Sequence, residues 1–174
     1  MYIFHYCCDR CGIEADAIQG RPGYYEFPDG DRIPVLTRTV WCRRCATLTV
    51  AEGLAPMEVL REELSRCRAG LLDDQHREFA EAVNESLDSY IASRMKAIAL
   101  VVERFQHRKS PNRCIECGST DYDYVELEDD RMPDAITHPN CGGVLRLGDH
   151  CLASPATFFL LDPEGNRIHM GNAT

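Results

Sequence analysis

Cys8-Asp9-Arg10-Cys11 answers to Cys42-Arg43-Arg44-Cys45, and Cys114-Ile115-Glu116-Cys117 answers to His138-Pro139-Asn140-Cys141. Two ligating side chains separated by two residues can wrap one side of an ion, and two such pairs complete a tetrahedral set. Read by nearness along the chain, Cys8, Cys11, Cys42 and Cys45 make one site, and Cys114, Cys117, His138 and Cys141 make the other. Each pair of pairs needs the intervening chain to turn back on itself. The 174 residues therefore divide into a metal module over 1–52, a helical segment over 53–109 and a second metal module over 110–174. The expected fold is α+β, with two small β-rich modules flanking a long helical hairpin.

Each knuckle region carries strand signals. Gly23 to Phe27, the turn Pro28-Asp29-Gly30-Asp31 and the β-branched run from Ile33 to Trp41 read as a hairpin returning to the first knuckle. Gly12 follows Cys11 where a tight knuckle needs positive φ, and Ala46 stands at the matching place after Cys45. This pattern resembles the zinc-ribbon group of folds, in which two knuckles on β-hairpins grip one zinc. His138-Pro139-Asn140-Cys141-Gly142 resembles the Cys-Pro-x-Cys-Gly knuckle of that group with histidine in place of the first cysteine. The resemblance implies two structural zinc ions, one held by four cysteines and one by three cysteines and a histidine. Cys7 competes with Cys8 as a ligand of the first site, and His150 and Cys151 compete with His138 in the second.

In the C-terminal segment, Tyr122 to Leu127 and Gly143 to Leu147 are strand candidates. The tail reads as a further hairpin, with Thr157 to Leu161 and Arg167 to Met170 around Asp162-Pro163-Glu164-Gly165-Asn166.

The middle segment reads as helix. Pro56 suits a first turn, Met57, Leu60, Leu64, Cys67 and Leu71 follow at helical spacing, and Gly70 ends the run. A second stripe, Phe79, Val83, Leu87, Ile91, Met95, Ile98, Val102 and Phe105, predicts one long helix from Asp73 or Asp74 to Ser110-Pro111. The apolar stretch from Ala97 to Val102 calls for packing within the chain or for a homodimer seam.

Ten cysteines without a secretion signal, six of them in CxxC pairs, point to metal binding in a reducing cytoplasm and not to disulfides. No apolar run approaches membrane-spanning length. The net charge of −9 is concentrated in residues 110–174, where four basic side chains face eleven acidic ones. That balance repels phosphates and suits a basic partner surface, with Glu128, Asp129 and Asp130 in an acidic loop. The one basic cluster, Arg38, Arg43 and Arg44 beside Trp41, leaves a nucleic-acid-associated regulator as the alternative.

An enzyme is not expected, since a catalytic zinc keeps an open position and both sites here are filled. His76-Arg77-Glu78 with Pro111 and the Cys114–Cys117 knuckle falls short of the H-x-E…P-C-x-x-C deaminase pattern, because Asn112 and Arg113 intervene. The expected function is that of a zinc-binding adaptor, regulator or inhibitor acting on an unidentified protein.

Overall fold

The computed structural model describes residues 1–71, 78, 80–82, 86–127, 131–152 and 157–172. The chain forms two compact units, one of Met1–Leu54 with Lys109–Thr174, the other of Ala55–Arg108.

The first unit is built of strands. In chain order they are β1 (Tyr2–Cys8), β2 (Glu14–Gln19), β3 (Gly23–Glu26), β4 (Arg32–Pro34), β5 (Thr37–Cys42), β6 (Thr47–Glu52), β7 (Tyr122–Tyr124), β8 (Ala135–Thr137), β9 (Val144–Leu152), β10 (Thr157–Leu161) and β11 (Arg167–Asn172). They form three sheets, ordered β2-β1-β9-β8, β11-β10-β3-β4 and β6-β5-β7. Every sheet mixes strands from both ends of the chain. β1 pairs antiparallel with β9, placing Tyr6 opposite Leu147 and Cys8 opposite Leu145. β5 pairs with β7 so that Val40 lies opposite Tyr124 and Cys42 opposite Tyr122.

Alternation explains the core. Tyr6 and Cys8 share one face of β1, and both are buried with Ala15, Ala17, Trp41, Leu48, Met132 and Leu145. The alanines of β2 are small, which lets β2 approach β6 closely over Leu48. β10 runs parallel to β3, with Phe159 opposite Gly23. A Cβ at Gly23 would fall 2.0 Å from the Phe159 ring, so that residue must be glycine. Glu52 is fully buried and receives the Tyr25 hydroxyl at 2.6 Å and the Arg113 amide at 2.8 Å. Its carboxylate thereby joins β3, β6 and the segment leading to Cys114.

This architecture overturns the expected one. The two ends of the chain do not form separate modules flanking a helical hairpin. They interleave in shared sheets, and the protein is predominantly β. The hairpin read from Gly23 to Trp41 is split: β3 and β4 pair as expected, but β5 leaves for another sheet. The tail hairpin forms where its continuous apolar run and its turn residues put it, with Leu160 opposite His169.

The second unit contains α1 (Met57–Arg68) and α2 (Leu87–Phe105). α1 buries Leu60, Leu64 and Cys67 and closes at Gly70, whose φ of 70° lets its amide and that of Leu71 reach back to Cys67 and Arg66. α2 packs on α1, and Arg94 pairs with Glu63 at 2.7 Å. The expected single helix to Ser110-Pro111 is interrupted at Ser86. Ser86 has an extended ψ of 142° and its hydroxyl caps the Ser89 amide, so a separate helix starts at Leu87. Asp73, Asp74, His76, Arg77, Phe79, Val83 and the acidic loop Glu128–Asp130 lie outside the described residues. No helix among the described residues is long and apolar enough to cross a membrane.

Candidate metal centres

All four knuckles are shaped by their backbones. Gly12, Ala46, Gly118 and Gly142 each follow a final ligand and each has positive φ, between 54° and 71°. In three of them the amide of that residue bonds the carbonyl of the first ligand: Gly12 to Cys8 at 2.9 Å, Gly118 to Cys114 at 2.8 Å and Gly142 to His138 at 2.9 Å. The turn folds the amides inward and projects both ligands from one side. Ala46 takes the same left-handed conformation without the freedom of glycine, at a cost of about 1 kcal/mol.

The structure brings all eight candidate ligands into two clusters, within each of which the ligand atoms lie within 4.8 Å of one another. The partition differs from the one read by nearness. Cys8 and Cys11 meet His138 and Cys141, while Cys42 and Cys45 meet Cys114 and Cys117. Each cluster remains a two-knuckle site, but its knuckles come from opposite ends of the chain. Strand pairing is the cause. β1 delivers Cys8 beside Leu145 of β9, and β5 delivers Cys42 beside Tyr122 of β7.

In the first cluster Cys8 Sγ lies 3.5 Å from Cys141 Sγ, and Cys11 Sγ lies 3.6 Å from Cys141 Sγ. His138 Nδ1 faces Cys11 Sγ at 3.4 Å and Cys141 Sγ at 2.9 Å. The knuckles are clamped together by Asp9, whose amide donates to Val144 O at 3.0 Å and whose carboxylate accepts from Val144 N at 2.9 Å. Arg10 donates from its guanidinium to the Cys141 carbonyl. Gly143 sits where a Cβ would come within 2.9 Å of Cys8 Sγ and 2.6 Å of Arg10 Cβ. In the second cluster Cys42 and Cys117 Sγ are 3.5 Å apart, and Cys45 and Cys114 are 3.9 Å apart.

The thiols oppose one another electrostatically. Burial raises the Cys8 pKa, but the amides of Cys11 and Arg10 and the neighbouring thiols outweigh it and bring the group down to about 6. Cys141 receives the Gly143 amide, which favours its thiolate, yet burial and the adjacent Cys8 and Cys11 hold it above its ordinary value. In the other cluster burial pushes Cys114 up to about 11 and raises Cys45 further, while Cys117 is lowered against its own burial by the Ser119 amide. Ionising one sulfur makes the next harder to ionise. A cation placed among them removes that conflict and favours the thiolate at every position. The clusters can therefore hold metal ions, and in each the protein supplies four ligands.

The competing candidates separate cleanly. Cys7 and Cys151 are exposed, and His150 stacks on Phe4 at 5.9 Å between centroids. None of the three belongs to a cluster. Two supporting residues were not legible beforehand. One is Asp9, visible only once β1 and β9 pair. The other is Trp41, buried to 1 % exposure, which meets the His138 ring at 4.6 Å and a 68° interplanar angle. His138 Nε2 is buried without a hydrogen-bond partner among the described residues, and the ring is held by packing on Trp41 and by its Nδ1 contacts to Cys11 and Cys141. No family model, curated protein or solved structure matches this chain.

Proposed function

We propose that the two clusters hold structural zinc ions and that the protein works without catalysis, by binding another protein. The observation that carries this reading is the completeness of both ligand sets: four protein ligands in each cluster leave no position for substrate or reactive water. A Zn–S bond of about 2.3 Å at the tetrahedral angle sets sulfurs about 3.8 Å apart. The observed sulfur separations of 3.5 to 3.9 Å agree with that spacing. Three cysteines with a histidine, and four cysteines, are both ordinary structural zinc sets.

Protein is favoured over nucleic acid as the partner by charge and by the fate of the basic cluster. Trp41 is buried, and Arg43 is engaged by Asp121 at 2.8 Å and Asp123 at 2.7 Å. Arg38 lies over the Tyr124 ring and Arg44 is exposed, but they stand against a net charge of −9, which repels phosphates.

Elemental analysis of the purified protein tests the metal. Two zinc equivalents are expected, falling to one in Cys11→Ser and to one in Cys45→Ser. Iron in place of zinc, or a folded protein without metal, overturns it. Affinity capture with the zinc-loaded chain, beside a gel-shift assay at physiological salt, tests the partner class. A shifted DNA or RNA probe overturns the protein-binding reading.

A further inference from the structure

The two clusters differ in where their sulfurs stand. In the first, Cys11 is exposed and Cys141 is half-buried, and their Sγ atoms are 3.6 Å apart. No ligand of the second cluster is exposed. The sulfur contacts described there, Cys42 with Cys117 and Cys45 with Cys114, each include one wholly buried thiol, at 0 % exposure for Cys42 and 1 % for Cys114.

The knuckles of the second cluster are also braced from outside. Arg43, between Cys42 and Cys45, pairs with Asp121 and Asp123. Glu116, between Cys114 and Cys117, pairs with Arg21 and Arg167. Oxidation of a cysteine follows the access of its sulfur to the oxidant. The first cluster offers an oxidant one exposed sulfur with a second, half-buried one beside it. Cys8 lies 3.5 Å from Cys141 but is only 2 % exposed and is packed with Tyr6, Trp41 and Leu145, so it does not meet the oxidant.

We infer that the first centre is a reversible, peroxide-sensitive zinc switch: Cys11 and Cys141 join in a disulfide and the ion leaves, while the second centre keeps its ion. The inference rests on the zinc reading above and gives the two ions different roles. The chemistry balances in two steps. The Cys11 thiolate attacks one oxygen of hydrogen peroxide; the S–O bond forms, the O–O bond breaks and hydroxide leaves, giving a sulfenic acid. The Cys141 thiolate then attacks that sulfur; the S–S bond forms, the S–O bond breaks and a second hydroxide leaves. The two sulfurs give up two electrons and the peroxide takes them, while zinc has no redox chemistry of its own. It departs as a divalent cation, since only Cys8 and His138 are left to hold it. The new bond ties the same two knuckles that the ion tied, and the Asp9–Val144 hydrogen bonds hold them side by side. A thiol reductant with zinc therefore restores the centre.

The test uses the zinc-loaded full chain carrying Cys7→Ser and Cys151→Ser, which removes the exposed thiols outside the clusters. A colorimetric zinc indicator too weak to strip the protein follows release under hydrogen peroxide, and non-reducing peptide mapping locates the bond. One of the two zinc equivalents is expected to leave, in step with a Cys11–Cys141 bond, and to return on reduction with added zinc. The fluorescence of Trp41, the single tryptophan, should change with it, because its ring packs on His138. Cys11→His and Cys141→His each keep four ligating side chains but cannot form the bond. Both should hold two zinc ions and release neither at the same peroxide dose. Where either variant fails to hold its ion, the mapped bond in the parent chain decides. Release of both ions together, earlier loss from the cluster of Cys42, Cys45, Cys114 and Cys117, or a bond that includes Cys8 overturns the switch. A chain that keeps both ions under peroxide also overturns it and leaves the zinc reading standing. A chain that carries no zinc before peroxide is added overturns both.

Discussion

The ring of Trp41 meets the ring of His138 at 4.6 Å, so a ligand of one metal cluster rests on the residue immediately before Cys42, a ligand of the other. The two centres share a wall. Trp41→Ala removes it. It should cost about 3–5 kcal/mol, the range for deleting a large buried aromatic, and free His138 to leave its rotamer. Denaturant titration checks the first effect. Chelator competition checks the second, with zinc leaving the His138 cluster faster than in the natural protein. Loss of stability with unchanged release from that cluster contradicts the shared wall.

The crossed ligand sets predict which segments loosen together. Cys11→Ser should raise amide exchange in Cys8–Gly12 and in His138–Gly143, which are 127 residues apart at the Cys11–His138 contact. Exchange around Cys114–Cys117 should change far less. Cys45→Ser should do the reverse. A mutant that loosens residues 8–12 and 42–45 together instead would restore the partition by nearness.

Two single-atom changes at the knuckles should act in opposite directions. Gly143→Ala places a methyl within 2.9 Å of Cys8 Sγ and against Arg10, so the knuckles must part and the first cluster should lose affinity for its ion. Ala46→Gly relieves a left-handed alanine at φ 54°. It should stabilise the second cluster by about 0.5 kcal/mol, the strain relieved less the added freedom of the unfolded chain. Thermal denaturation of zinc-loaded variants reads both.

Tyr6 predicts an alkaline limit. Burial, with the nearby Asp134 charge, pushes its phenol from an ordinary value near 10 up to about 12, and the hydroxyl donates to Pro133 O at 2.7 Å. The native pKa lies above the unfolded one. The stabilisation is therefore complete below pH 10 and is lost as pH climbs through 12. Tyr6→Phe should be less stable at neutral pH and should lose less of its stability across that window, as measured by denaturant titration at stepped pH.

The candidate ligands were legible because their pattern is local: a cysteine or histidine, two residues, then a cysteine, followed in three of the four knuckles by glycine. Their partition was not, because it depends on β1 finding β9 across most of the chain. β2 escaped notice because Ala15 and Ala17 carry little strand preference by themselves. Their value is smallness against Leu48, a property of a neighbour that sequence position does not reveal. The helical stripe from Phe79 to Phe105 misled for a related reason. Its phase carries across Ser86, and only that residue's extended backbone and capping hydroxyl start a new helix there. The tail hairpin was legible since its apolar run from Phe158 to Leu161 and its Asp162-to-Asn166 turn are both local.

The first cluster also sets an order of events at the ribosome. Cys11 and Cys141 are separated by 130 positions, and at 5–20 residues per second their synthesis is separated by roughly 7 to 26 s. Through that interval the Cys8 and Cys11 thiols emerge into the cell with half a binding site and no β9 to shelter them. The centre nearest the N-terminus is thus the last to close, and the newborn chain depends on its surroundings to keep those two sulfurs reduced and unclaimed until residue 141 arrives.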